Sequence, residues 1–147
     1  MKSIFEKDTY NDVLQRINNI GENTTPEWGE MNAGQMFSHT KIPFEIVLEK
    51  RPPVGKPNFL MKLIFKKMMY NDKLFKKNMP TPKRFQISSD KDFNIERQDL
   101  IESINDMYNK REKTDWPDHP MFGKFTANQT GQMMFKHLDH HLRQFGV

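Results

Sequence analysis

The chain has 147 residues, enough for a single domain spanning 1–147, and carries 23 Lys and Arg against 19 Asp and Glu, a formal net charge of +4. It contains no cysteine, which excludes disulfides, cysteine zinc ribbons and cysteine nucleophiles. No apolar run approaches the roughly eighteen residues of a membrane span, and MKSIFEKDTYNDV has no secretory h-region, so a cytoplasmic protein is expected.

The first helix is expected over 5–20, where Tyr10, Val13, Leu14, Ile17 and Ile20 recur at helical spacing. Ser3 and Glu6 are spaced as a capping box, and Gly21 follows the end. ENTTPEW (22–28) is a turn-rich connector. The second helix falls within 31–50, opened by Asn32 with Gln35 and stopped by Arg51-Pro52-Pro53. Pro43 lies inside it and removes the N–H that the His39 carbonyl would normally accept, so a kink is expected. VGKPN (54–58) leads into a third helical stretch over about 58–71, and 78–92 is a long loop. A fourth helix, over about 94–112, places Leu100, Ile101, Ile104, Met107 and Tyr108 on one side. After a proline- and aromatic-rich loop at 113–125, the last helix starts at Thr126 with a Thr-x-x-Gln box and runs almost to Val147. Strand signals are absent. The pattern predicts an all-α four-helix bundle with an additional short helical segment and long connecting loops.

Other motifs close quickly. GKP (55–57) is not a phosphate loop, since Lys50 and Pro57 replace its glycine and Ser/Thr. GxSxG and HExxH are both missing. The eleven methionines are scattered at core-like spacings. Much of the positive charge lies in KLIFKKMMYNDKLFKK (62–77) and KRF (83–85), read as a solvated lysine face. The competing reading is a surface for an anionic partner; nucleic acid is not expected, because no nucleic-acid motif accompanies the lysines.

Three of the five histidines fall inside HLDHHLRQF (137–145). On a helix turning about 100° per residue, Met134, Phe135, Leu138, Leu142 and Phe145 form one apolar stripe. From its centre, His141 lies about 60° away, His137 about 100° and His140 about 165°. His141 and His137 therefore flank the buried face, with Thr130 on the same flank two turns earlier, and His140 is expected to point to solvent or to stand behind the ligands. Imidazoles at i and i+4 can converge on one metal ion, and His39 on the second helix is the natural third donor. Three histidines plus solvent would leave an open position. The competing reading is that the helix dipole favours histidine in a final turn and that the spacing is accidental. His119 is expected in a loop at the mouth of the site.

HPMFGKFTANQTGQMMFKHLDHHLRQFG (119–146) resembles the C-terminal signature of a DUF1569-type branch of the DinB/YfiT-like superfamily, and EWGEMNAGQMFSH (27–39) resembles its second-helix segment. The resemblance implies a four-helix bundle holding a divalent metal ion on His39, His137 and His141, with zinc or nickel expected first and iron next. It also implies a metal-dependent hydrolase or thiol S-transferase acting on a small molecule, and a homodimer. Without cysteine, any thiol is an external one of low molecular weight. Neither Glu45 nor Asp139 stands out as a general base. Two alternatives stay open: a non-enzymatic metal- or ligand-binding bundle, and a metal-free module that binds an acidic partner through 62–84.

Overall fold

The computed structural model describes the chain apart from residues 54, 56–58 and 82, and describes 61 and 63 without their side chains. Five α-helices follow one another: α1 (Lys7–Asn18), α2 (Ala33–Val47), α3 (Phe59–Phe65), α4 (Phe93–Asn109) and α5 (Ala127–Gln144). Two 3₁₀ turns, Lys66–Tyr70 and Lys83–Phe85, stand in the long α3–α4 connection. Among the described residues there is no strand, only an isolated bridge between His119 and Gly123. The four longer helices make an all-α bundle in which α2 packs on α4 and α5, and α1 closes the other side against the same two helices.

The caps explain most of the boundaries. Asn32 accepts the Gln35 N–H at 2.8 Å while Gln35 accepts the Asn32 N–H at 3.0 Å. Thr126 and Gln129 repeat the device at α5, and Asp92 caps α4 through the Ile95 N–H. α2 runs through Pro43 to Val47 as one helix.

Two expectations are corrected. Ser3 and Glu6 do not form a capping box, because α1 begins at Lys7, two residues later than expected. Glu6 is its N-cap without a side-chain bond, and Ser3 instead takes the Phe5 N–H and, through its carbonyl, the Glu6 N–H. A tertiary contact overrides the local signal: the fully buried Ile4 hydrogen-bonds through its N–H to the Gly131 carbonyl. This crossing on α5 demands glycine, since a Cβ at Gly131 would lie 2.3 Å from the Ser3 Oγ. The helix expected over 58–71 is also split, with α3 giving way to the 3₁₀ turn after seven residues. There the buried ammonium of Lys136 on α5 donates to the Met68 carbonyl and to both the carbonyl and side-chain oxygen of Asn71. A buried cation needs such acceptors, and the tighter turn presents them.

Of the expected core residues, Val13 and Ile17 of α1, Leu100, Ile104 and Met107 of α4, and Met134, Leu138 and Leu142 of α5 are essentially inaccessible, while Tyr10, Leu14, Ile101 and Tyr108 are only partly buried; Met36, Phe37 and Phe44 of α2 complete the core. At about 2–5 kcal/mol for a typical buried Leu or Met truncated to Ala, a large part of the roughly 5–15 kcal/mol a domain has to spare, this core sets the position of α2 against α5. Lys41 on α2 adds ion pairs to Glu96 (2.8 Å) and Asp99 (2.7 Å) on α4.

Candidate metal centre

The capping boxes start α2 and α5 at fixed points, and seven residues into α2 stands His39, facing His137 and His141 of α5. One ring nitrogen from each of the three lies within 4.8 Å of the others. The Nε2 atoms of His137 and His39 are 3.2 Å apart. Their rings, and that of His141, are mutually tilted with centroids 4.8–5.1 Å apart. Among the described residues, no carboxylate joins the cluster.

Hydrogen bonds behind the rings determine which nitrogens are free. The Phe85 carbonyl, 2.9 Å from His39 Nδ1, can only accept, so Nδ1 carries the proton and Nε2 a lone pair. His141 is set by a longer chain. The Gln144 amide gives an N–H to the Trp28 carbonyl, which leaves its Oε1 to accept from His141 Nδ1 at 2.8 Å. His141 Nε2 is thereby also a lone pair. Gly29 makes room for this chain: its φ is +80°, and a Cβ there would meet the Gln144 Nε2 at 2.5 Å. His137 is different. Its Nε2–H donates to His39 Nε2, and its Nδ1 is enclosed with no partner.

Burial holds all three rings neutral at pH 7. It pushes His137 well below the usual imidazole range, helped by the neighbouring His141 and His39, and takes His141 down to about 3. His39 is lowered by burial as well, against the opposing pull of the Phe85 carbonyl. Neutral imidazoles are the protonation state that a divalent metal ion requires; His39 and His141 already present an Nε2 lone pair, whereas His137 presents its Nε2–H.

The other expected site residues fare differently. His140 does not point to solvent. It is buried between Trp28 and Phe75, each with its ring centre 5.8 Å away, and its Nδ1 has no partner. The α5 face opposite the apolar stripe is covered by loops, so a single-stripe reading of the helix underestimated its burial. His119 belongs to its own loop, where its Nδ1 accepts the Met121 and Phe122 N–H groups and its ring stacks on Phe122. That is a turn-forming role, and no described contact links it to the three-histidine cluster. The Thr130 hydroxyl is taken up by the Thr126 carbonyl of its own helix. Glu45 and Asp139 are both in ion pairs, Glu45 with Arg51 and Asp139 with Arg16 and Arg143.

Sequence reasoning missed the Phe85 carbonyl, Gln144 and Gly29. Gln144 was open to discovery, since it lies three residues after His141 on the same helix face. A backbone carbonyl carries no side-chain signal.

These features define an all-α bundle with a cluster of three imidazoles shared between two helices and, among the described residues, joined by no carboxylate. The chain belongs to the DUF1569 family, described as a protein of unknown function, whose model matches residues 4–146. No curated protein and no solved structure matches it. No helix of the described chain is long and apolar enough to cross a membrane.

Proposed function

We propose that the protein holds a divalent metal ion, zinc or nickel first and iron next, on His39, His137 and His141, and works as a metal-dependent hydrolase or thiol S-transferase on a small molecule. The observation that carries the metal is the convergence of three neutral ring nitrogens, two of them aimed by hydrogen bonds at their far side. In a tetrahedral site with bonds of about 2.0–2.1 Å, neighbouring donors stand roughly 3.3 Å apart, close to the 3.2 Å between His137 and His39. The resemblance of 27–39 and 119–146 to DinB/YfiT-like proteins supports the same ligand set.

Held by His39, His137 and His141, three neutral donors, an ion would keep its whole charge, and the chemistry it would supply is to lower the pKa of a water or thiol and to polarise a substrate. The chain's own residues do the rest. Phe85 and Gln144 keep His39 and His141 in the tautomer that leaves Nε2 free. To serve as the third ligand, His137 would release His39 and carry its proton on Nδ1 instead of Nε2. Trp28, Phe75 and His140 wall one side of α5 and limit water there. The chain provides no cysteine, so a transferred thiol comes from solution.

The test is turnover of activated esters, and of an external low-molecular-weight thiol with an activated electrophile, by metal-loaded protein. Activity lost in His39→Ala, His137→Ala and His141→Ala is expected. Full metal loading with no turnover on either substrate class would leave a non-enzymatic metal-binding bundle.

A further inference from the structure

Large apolar side chains exposed to solvent are not spread over this protein. Phe59 (80% exposed), Leu60 (62%), Ile64 (56%), Leu74 (64%) and Met79 all fall within 59–79, and among the described residues only Ile95 joins them from elsewhere. The same stretch holds six lysines against one acidic residue, Asp72. Among the described residues, Lys62, Lys66, Lys67, Lys73 and Lys76 form no ion pair, while Asp72 is engaged by the N-terminal ammonium.

The arrangement is ordered. Phe65 turns inward onto the core, and Phe59, Leu60 and Ile64 turn outward. Lys66 leans back to hydrogen-bond the Lys124 carbonyl, with its ammonium 4.9 Å from the Phe125 ring centre. The Lys62 ammonium lies back beside Gly123. Phe59, Lys62, Lys66, Lys67 and Tyr70 line a shallow groove of about 280 Å³. The exposed Phe59, Leu60 and Ile64 thus share this stretch with lysines, of which Lys62 and Lys66 lie back against 123–125.

We infer that 59–79 docks on an anionic lipid surface, with Phe59, Leu60 and Ile64 entering the headgroup boundary and Lys62 and Lys67 meeting the lipid phosphates. Charge complementarity selects this occupant. A second copy of the chain pairing through this face about a two-fold axis would bring two patches of the same net positive charge together. A soluble acidic partner would use the lysines and leave the protruding apolar side chains in water. The inference is independent of the metal.

Co-sedimentation with vesicles tests it, using phosphatidylcholine alone and phosphatidylcholine with about one-third phosphatidylglycerol. The intact protein is expected to sediment with the anionic vesicles, to stay in solution with the neutral ones, and to be released by added salt. Phe59→Ser/Leu60→Ser/Ile64→Ser and Lys62→Glu/Lys67→Glu should each weaken binding by about tenfold or more, with helix content unchanged by circular dichroism. Equal partitioning into both vesicle types, or into neither, overturns the inference on the unmodified protein alone. Binding to polyglutamate as tight as to anionic vesicles, unchanged in the serine variant, would assign the face to a soluble acidic partner instead.

Discussion

Gln144 stands one helical turn beyond His141 and takes its Nδ1–H at 2.8 Å. The same amide is itself held by the Trp28 carbonyl, so the connector before α2 sets the tautomer of a histidine on α5. Gln144→Leu keeps the volume and removes both bonds. The expected result is a loss of about 10–100-fold in metal affinity with the helix content retained, read by competition with a chelator. Affinity equal to that of the unmodified protein would show that His141 needs no orienting partner.

Gly29→Ala reaches the same ring from further away. The left-handed φ of +80° and the 2.5 Å approach to Gln144 both oppose a Cβ. A destabilisation of about 1–3 kcal/mol is expected, measured by urea unfolding of metal-free protein, together with weaker metal binding than in the parent. Unchanged stability would mean that the connector yields more easily than its geometry implies.

The site was legible where spacing alone carries the information. His137 and His141 follow from the i, i+4 geometry of one helix, and His39 from its place one turn past a capping box. His140 was misplaced because a helical wheel sees one stripe, whereas Trp28 and Phe75 come from loops whose paths no local pattern encodes. Ser3 failed for a similar reason: its cap was given up to dock Ile4 at Gly131, a contact more than a hundred residues away in sequence. The 3₁₀ turn after α3 depends on Lys136, which reads as a surface lysine until the loop around it is seen.

His119 makes the fold sensitive to acid. Its Nδ1 accepts two backbone N–H groups, and burial lowers its pKa to about 4. The unfolded chain, with an imidazole near its ordinary 6.5, binds this proton first, so the His119 contribution to stability falls as pH drops from about 6.5 towards 4 and levels off below. The full effect is on the order of 2–3 kcal/mol. Asparagine can accept the same N–H groups without titrating. Urea unfolding of His119→Asn across this range should show a shallower fall than the parent, and parallel curves would remove His119 as the cause.

Lys136 clasps the turn at 66–70 to α5. Its ammonium has the acceptors of Met68 and Asn71 and lies 4.6 Å from the Phe75 ring centre. Lys136→Met fills the space but strips those acceptors, and a destabilisation of about 2 kcal/mol is expected. Faster proteolysis within 66–78 should accompany it. Cleavage at the parental rate would show that the turn is held by its apolar contacts.

Metal content addresses the central claim most directly. Elemental mass spectrometry on tag-free protein, beside His137→Ala/His141→Ala, should find close to one divalent ion per chain in the parent and essentially none in the variant. A parent that takes up no stoichiometric metal, even after reconstitution with zinc, nickel and iron, would contradict the account and leave the three imidazoles as a buried hydrogen-bonded cluster.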